Sequence, residues 1–330
     1  MTLRIATRKS QLALVQARWV AERIRALEPG REVELCEMVT IGDRMRDVPL
    51  AEIGGKGLFV SELEQAVREG RAELAVHSLK DLPAQIGSGL QIACVPERED
   101  ARDVLVTTDG CELDDLAAGE RVGTSSLRRT IQLRRVRNDL EYAALRGNVD
   151  TRLSKLERGQ YRAIVLAYAG LRRLGLHDRP LWPLPITLSV PAVGQGALAI
   201  ECRTDDHELV RLLSQLEHEP SRACVEAERA FLHELGGDCN TPLAGHARLE
   251  QDGTRLCFDG VVGAAGDDRM VRTGAERYVE ARGEALFELA RELGRESARS
   301  LLAQGAAELI REATQSTAAG PKADPRARPH

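Results

Sequence analysis

Aromatic side chains are scarce in this 330-residue chain, at 3% of its residues. Such side chains form the platforms on which nucleic-acid bases stack, so their scarcity disfavours a binder of single-stranded nucleic acid. An excess of positive charge is missing as well, because the net charge is −5 and the isoelectric point is about 5.9. Proteins that bind DNA or RNA phosphates usually carry that excess. We therefore expect no nucleic-acid partner.

Long hydrophobic runs are absent, and the longest apolar stretch extends only from Ala163 to Leu171, too short to cross a bilayer. The chain enters its first strand directly, without the apolar segment of a signal peptide. Its seven cysteines are an odd number without Cys-x-x-Cys spacing, which fits neither a disulfide framework nor a zinc site. We expect a cytoplasmic protein with reduced cysteines, no membrane contact and no metal.

The common nucleotide-binding fingerprints are also missing. Gly54-Gly55-Lys56-Gly57 is no phosphate-binding loop, because neither Ser nor Thr follows the lysine. A Gly-x-Gly-x-x-Gly motif does not follow any predicted strand either. The 54–57 loop is either a lid over a site or an ordinary turn before a helix at 59–69.

Lysine is rare, since only five of the 46 basic residues are lysine, so the abundance of arginine by itself indicates little. The placement of the arginines is more informative, because several follow predicted strands. In an open α/β sheet the carboxyl ends of the strands border the ligand crevice, and a guanidinium binds carboxylate or phosphate through two donors. This placement predicts a substrate with many negative charges. The arginines concerned are Arg8, Arg128, Arg129, Arg146, Arg152, Arg172 and Arg173.

Strand-like and helix-like segments alternate through about the first 215 residues, which predicts an α/β fold. A helix capped by Ser10 and ended by Pro29-Gly30 follows the first strand, and a late strand at 197–201 is expected to rejoin the first domain. After Pro220 the pattern changes to a small α+β domain. It has a helix at 222–235, strands at 246–249 and 255–262, and one long helix from 283 towards 311. The tail, 314–330, lacks periodicity and is expected to be disordered.

Thr124-Ser125-Ser126 leads directly into Arg128 and Arg129. The hydroxyl groups can cap a helix whose free N–H groups then form an anion site together with both arginines. The alternative is a plain cap with the arginines on a solvated face. Residues 121–137 contain six arginines and no acid; the next acid is Asp139. Solvated faces usually mix charges of both signs, so this pattern favours the anion site.

Asp81 and Cys239 are the candidates for chemistry. Asp81 follows a strand at 73–78 and precedes Pro83, where a carboxylate can stabilise a developing cation or move a proton. The alternative is a turn aspartate that binds backbone N–H groups. Cys239 lies in a Gly-rich polar loop where packing does not explain a thiol, so it can be a nucleophile or a site of modification. His77 is expected to be a packed histidine.

Six segments together resemble the hydroxymethylbilane synthase (porphobilinogen deaminase) family of tetrapyrrole biosynthesis. The resemblance extends from about Leu3 to Arg311. It is specific because the segments share their order and spacing with the family. They are ATRKSQLAL at 6–14, GGKGLF at 54–59, AVHSLKDLP at 75–83, GTSSLRR at 123–129, LRGNVDTRL at 145–153 and PAVGQG at 191–196.

The resemblance implies two doubly wound α/β domains, similar to periplasmic binding proteins, plus a small α+β C-terminal domain. The expected boundaries are 1–97 with 197–215 for domain 1, 101–191 for domain 2 and 219–312 for domain 3. The family's cysteine holds a dipyrromethane cofactor through a thioether and maps onto Cys239. Asp238 stands where the family usually has glycine, so the loop around the cysteine departs from the family pattern.

The activity implied by the resemblance is that of a transferase, expected to act as a monomer. It condenses four porphobilinogen molecules onto the bound dipyrromethane, with loss of ammonia, and then releases linear hydroxymethylbilane by hydrolysis. Asp81 takes the catalytic role. The cofactor is assigned to Lys80, Asp81, Ser126, Arg128, Arg129 and Arg146, the substrate to Arg8, Ser10, Arg146, Arg152 and Arg173, and the lid to Gly54, Gly55, Lys56, Gly57 and Phe59.

Two other interpretations remain open from the sequence. The first is a non-catalytic polyanion-binding protein of the periplasmic-binding class, which predicts a signal peptide and gives Cys239 no role. The second is an interaction protein that binds nucleic acid through its Arg-rich helix, against which the acidic charge balance weighs. The enzyme interpretation alone uses Asp81, Cys239 and the arginines together.

Overall fold

The structure is a computed structural model that describes residues 2–44, 60–237, 241–250, 253–264 and 267–318. Three sheets organise these residues. Two are five-stranded mixed sheets with helices around them, and the third is a three-stranded antiparallel sheet beside two long helices. This is the fold class expected from the sequence.

The first sheet has the strand order β2-β1-β3-β10-β4. Strand β1 pairs in parallel with β2 and β3, whereas β10, which enters from far along the chain, is antiparallel to β3 and β4. The prediction that a late strand rejoins this sheet is confirmed. The strands are β1 (Leu3–Arg8), β2 (Val33–Met38), β3 (Leu74–Ser78), β4 (Leu90–Cys94) and β10 (Leu198–Arg203).

Helix α1 (Gln11–Leu27) covers one face of this sheet and follows the sequence prediction closely. The Ser10 side chain accepts a hydrogen bond from the backbone nitrogen of Ala13 at 3.3 Å, and this cap fixes where the helix begins. Ala17, Val20 and Ile24 are fully buried, because their spacing places them on the face towards the sheet. The other helices here are α2 (Ile41–Arg44), α3 (Ser61–Arg68) and α7 (His207–Leu213).

The second sheet has the order β7-β6-β8-β5-β9, with β6 parallel to β7 and β8 and with β5 antiparallel to β8 and β9. Its strands are β5 (Asp103–Val106), β6 (Arg121–Gly123), β7 (Glu141–Ala143), β8 (Ala163–Ala167) and β9 (Leu181–Pro183). Its helices are α4 (Leu127–Arg134), α5 (Val149–Glu157) and α6 (Tyr168–Arg173). The chain crosses between the two sheets twice, after β4 and before β10.

The third region begins with helix α8 (Glu219–Leu235), three residues earlier than expected, because Pro220 fits the first turn of a helix. Phe231 of this helix meets Phe258 with ring centroids 4.9 Å apart, at the centre of a buried apolar cluster. The strands are β11 (Leu243–Leu249), β12 (Arg255–Gly263) and β13 (Met270–Tyr278), and the last helices are α9 (Glu284–Ala303) and α10 (Ala306–Ala318).

The structure corrects the C-terminal prediction. The single helix expected over 283–311 is two helices, separated at Gly305, whose φ of 97° lies in the left-handed region that favours glycine. Helix α10 continues to Ala318, so 314–318 are helical where we expected the disordered tail to begin. Residues 319–330 lie outside the described residues. Within the part of the chain that is described, no helix is both long and apolar enough to span a membrane.

Candidate active site

Lys80 and Asp81 lie at the carboxyl end of β3, in a single 3-10 turn (Leu79–Asp81). Strands β1 and β3 are parallel, so Arg8 at the end of β1 shares this edge of the sheet. Burial lowers the pKa of Lys80 to about 8, and the positive charges of Arg129 and Arg128 contribute to the lowering. The turn of the first domain therefore lies within electrostatic reach of the arginines of the second.

Arg128 and Arg129 lie in the first turn of α4, and both bind the carboxylate of Asp103. Arg128 Nη1 is 2.6 Å from Oδ2 and Nη2 is 3.1 Å from Oδ1, while Arg129 Nε is 2.9 Å from Oδ1. Ser189 Oγ and Gln195 Nε2 donate to the same carboxylate, at 2.7 Å and 2.9 Å. The arginine charges outweigh burial and hold the pKa of Asp103 well below its usual range.

This arrangement corrects part of the prediction for α4. The solvated-face alternative is wrong, because both arginines are buried. Capping by hydroxyl groups is also wrong, because the Ser126 side chain makes no cap bond, while Thr124 Oγ1 accepts from the Ser126 nitrogen and Ser125 donates to the Leu145 carbonyl. Arg128 and Arg129 lie close together as expected, but it is the buried carboxylate of Asp103 that holds them, and the sequence pattern does not reveal it.

Arg152 joins this group from α5. Its Nε donates to the Gly147 carbonyl at 2.7 Å, and burial, together with the charge of Arg129, lowers its pKa to about 10. Arg146 is half-buried just before that glycine, and its side chain makes no hydrogen bond or ion pair within the described residues. The donors of the Arg146 guanidinium are thus unused within the part of the chain that the structure describes.

Arg173, which we expect to bind substrate, and its neighbour Arg172 differ in burial and in their partners. Arg173 Nη2 donates to the Gly196 carbonyl at 2.6 Å, and burial lowers its pKa to about 10. Arg172 is exposed and pairs with Glu99, with 3.1 Å between Nε and Oε1. Arg173 thus contacts the connecting segment before β10, whereas Arg172 contacts the connecting segment after β4.

Several predicted residues lie outside the described residues. Among these are Cys239 with its neighbour Asp238. The lid residues are the others, namely Gly54, Gly55, Lys56, Gly57 and Phe59. In the sequence, Cys239 comes four residues after α8, which ends at Leu235 and is capped by Gly236 in the left-handed conformation with φ 65°.

Helix α8 contacts the segment that follows Asp81. Arg229 donates to the carbonyl oxygens of Pro83 and Ala84 at 3.1 Å and 2.7 Å. One turn later, His233 Nε2 lies 3.0 Å from the amide nitrogen of Gln85. The helix that leads into the Cys239 loop is therefore fixed against the segment that holds the candidate catalytic carboxylate.

A buried carboxylate that the sequence analysis misses connects α8 to residues 189–197 before β10, here called the crossover segment. Glu228 is fully buried and pairs with Arg98 at 2.6 Å. It also accepts from the backbone nitrogens of Gly194 and Ala247, at 2.6 Å and 2.8 Å. A buried role for Glu228 could have been predicted because this acid lies on the apolar face of α8, between Ala227 and Phe231. Asp103 offers a similar signal, because this acid directly precedes the apolar run Val-Leu-Val.

Gly194 shows why this crossover segment needs glycine. Its φ of 72° lies in the left-handed region, and a Cβ atom there would come 3.0 Å from the backbone nitrogen of Lys80 and clash with Leu79. The crossover segment therefore lies directly against the turn that carries Lys80 and Asp81.

The charges around this junction do not balance. Lys80, Arg128, Arg129 and Arg152 are four cations that act on one another, and the carboxylates of Asp81 and Asp103 oppose them. A buried surplus of positive charge is unfavourable unless an anion offsets it. The chemistry that this arrangement fits is the binding of a ligand with several carboxylates beside one carboxylate of the protein.

Comparison with known families decides between the interpretations. The model described as porphobilinogen deaminase, dipyromethane cofactor binding domain, matches residues 3–211, and the model for the porphobilinogen deaminase C-terminal domain matches residues 222–303. The chain belongs to the porphobilinogen deaminase family. A family member from Brevibacillus brevis, named porphobilinogen deaminase, is 44% identical over 312 residues, which cover 94% of this chain and 96% of that protein.

Solved structures with similar folds are more distant. The periplasmic VFT2 domain of Bordetella pertussis BvgS is 16% identical with a TM-score of 0.39, over 65% of this chain and 86% of that one. The periplasmic aliphatic sulphonate binding protein SsuA of Escherichia coli is 15% identical with a TM-score of 0.38, over 70% of each chain.

Proposed function

We propose that this protein is a hydroxymethylbilane synthase, a transferase that condenses porphobilinogen into a linear tetrapyrrole. Membership of the porphobilinogen deaminase family supports this function across nearly the whole chain. The observation that carries the proposal is that Gly194 packs against the Lys80-Asp81 turn, while the next residue, Gln195, binds the carboxylate that Arg128 and Arg129 share. One carboxylate thereby lies next to a surplus of cations.

The residues present fit a dipyrromethane cofactor. Each porphobilinogen-derived ring carries an acetate and a propionate, which are ionised at neutral pH. The surplus charge of Lys80, Arg128, Arg129 and Arg152 suits such side chains, and each hydrogen bond to a charged group contributes about 1.5–3 kcal/mol. When bound, the cofactor supplies the terminal pyrrole carbon at which condensation takes place. We assign its covalent attachment to Cys239.

Asp81 is the proposed catalytic residue. Porphobilinogen loses ammonia from its aminomethyl group and becomes cationic, a carbon–carbon bond forms, and the new ring then loses one proton. A carboxylate fixed beside the substrate stabilises positive charge in both stages by electrostatics, without needing to reorganise. The contacts from Arg229 to the segment after Asp81 support this role, because they hold the turn in place.

We assign the remaining residues by their positions. Ser126 and Arg146 accompany the cofactor arginines, while Arg8, Ser10, Arg146, Arg152 and Arg173 bind the carboxylates of incoming substrate. The assignment of Arg146 is supported by its lack of an internal partner within the described residues. That of Arg173 is supported by its contact with Gly196, two residues after the Gly194 that packs against the Lys80-Asp81 turn. Ser10 also caps α1, so its hydroxyl serves the fold as well.

We also propose the domain boundaries 1–97 with 197–215, 101–191 and 219–312, which the three separate sheets support. A cytoplasmic monomer is the proposed form of the enzyme. Light scattering of the purified protein checks its oligomeric state.

The test of the function is incubation with porphobilinogen while ammonia and tetrapyrrole are both measured. The enzyme releases one ammonia for each porphobilinogen consumed and forms linear hydroxymethylbilane. A non-catalytic polyanion-binding protein would bind porphobilinogen and release no ammonia.

A further inference from the structure

The Asp103 carboxylate is shared between two neighbouring arginines in an unusual way. Arg128 and Arg129 are consecutive, yet both guanidinium groups reach the same fully buried carboxylate at the start of β5. Ser189 and Gln195 hold that carboxylate from the crossover segment, through Oδ2 and Oδ1 respectively. Asp103 is therefore fixed in orientation by groups other than the arginines it binds.

The donors that remain on each guanidinium can be counted, since each carries five N–H groups. Arg128 uses both hydrogens of Nη1, on Asp103 and on the Val190 carbonyl, and one of Nη2 on Asp103. Within the described part of the chain, its Nε and the other Nη2 hydrogen, which lie on one edge, are left. That edge is a complete two-donor fork.

Arg129 is bound by a different edge. Its Nε donates to Asp103 Oδ1, its Nη2 lies 2.8 Å from the same oxygen, and its Nη1 donates to the Val165 carbonyl. Within the described residues, one hydrogen on each of Nη1 and Nη2 therefore remains. Two donors are thus left on this arginine as well.

We propose that Asp103 is a positioning residue that binds one edge of each guanidinium and thereby leaves the remaining two donors of Arg128 and of Arg129 to bind ligand carboxylates. The inference rests on the proposed function, in which these arginines hold the pyrrole carboxylates. Asp103 also neutralises one of the two buried charges, which allows the pair to exist beside Lys80 before any ligand binds.

The first variant is Asp103→Asn, which keeps the shape but has a single acceptor oxygen and places an amide N–H against a guanidinium. We expect the KM for porphobilinogen to rise about tenfold, since charge-assisted bonds to the ligand are misdirected. Intact mass during turnover reads the number of units on the protein, and the population is expected to shift to shorter chains. The matched control is Glu201→Gln, which alters an equally buried carboxylate paired with His77.

Glu201→Gln is expected to lower the melting temperature and leave KM unchanged. If Asp103→Asn also lowers only the melting temperature, Asp103 has a structural role and the proposal is overturned.

A second pair of variants separates positioning from charge, and also serves if Asp103→Asn does not fold. Arg129→Met removes one cation, and Asp103→Asn with Arg129→Met restores the original net charge of the cluster without the carboxylate. Positioning predicts a KM for the double variant above that of Arg129→Met, because Arg128 loses its orientation. A KM that returns towards wild type would show that only net charge matters and would overturn the proposal.

A different result would reject the proposed function itself. If Arg129→Met and Arg128→Met both leave KM and cofactor content at wild-type values, the arginines do not bind pyrrole carboxylates at all. A raised KM in these single variants with an unchanged KM in Asp103→Asn would reject the positioning role alone.

Discussion

Glu228 accepts a hydrogen bond from the backbone nitrogen of Gly194 at 2.6 Å, and this bond joins helix α8 to the crossover segment. Gly194 in turn contacts the Lys80-Asp81 turn, while the next residue, Gln195, donates to Asp103. Helix α8, the Lys80-Asp81 turn and Asp103 therefore meet at two consecutive residues, Gly194 and Gln195. The geometry of the candidate site depends on this junction.

Glu228→Gln is expected to lower the free energy of unfolding by about 3–5 kcal/mol, because it leaves the buried Arg98 guanidinium without its charged partner. Urea unfolding followed by circular dichroism measures the loss. Glu141→Gln is the control, because Glu141 and Arg121 form an exposed pair, each with 52% of its side chain exposed, and should cost less than about 1 kcal/mol. If both variants lost the same free energy of unfolding, the buried Glu228–Arg98 pair would not be more important for stability than an exposed pair.

Acid is expected to destabilise the protein through Asp103 and Glu228. Burial opposes ionisation of both, but the arginines outweigh it and hold each folded-state pKa below its usual value. The stabilisation is complete above the unfolded-state pKa of about 4 and is lost as the pH falls below it towards the folded-state values. Melting temperatures between pH 7 and pH 3 measure the loss. A smaller acid-induced decrease in Glu228→Gln is expected, and an identical decrease would assign the effect to other groups.

Much of the fold follows from local sequence, whereas the centre of the site does not. The Ser10 cap, the helix it begins and the strand that includes Ala199 and Ile200 depend on neighbouring residues and on hydrophobic pattern, so the sequence predicts them. Asp103 is invisible to such arguments because its partners Arg128 and Ser189 lie far along the chain. Strand β13 escaped prediction because it is largely exposed at the edge of its sheet and alternates weakly.

Lys80 is expected to make substrate capture dependent on pH. Burial lowers its pKa to about 8, so the free enzyme loses this charge as the pH rises through that value. The value of kcat/KM for porphobilinogen should therefore fall between about pH 7 and pH 9, since this ratio reports the free enzyme. Lys80→Arg keeps its charge throughout and should remove the inflection. An unchanged inflection in Lys80→Arg would assign the titration to another group.

Asp81→Asn is expected to keep the fold and the binding of porphobilinogen but to lose about 10²–10³-fold in kcat, because the carboxylate that stabilises the cationic stages is gone. Ammonia release measures kcat, and equilibrium binding measures affinity. Asp150→Asn, an exposed acid of α5, is the control and should have normal turnover. Near-normal turnover in Asp81→Asn would remove Asp81 from the catalytic role.

The central claim is that Cys239 carries a covalent dipyrromethane from which the tetrapyrrole grows. The most direct measurement is the intact mass of the purified protein under denaturing conditions, compared with that of Cys239→Ser. The account predicts an excess equal to two linked porphobilinogen-derived units in the wild-type protein and none in the variant. An equal excess in Cys239→Ser, or a bare wild-type mass that persists after incubation with porphobilinogen or hydroxymethylbilane, would contradict it.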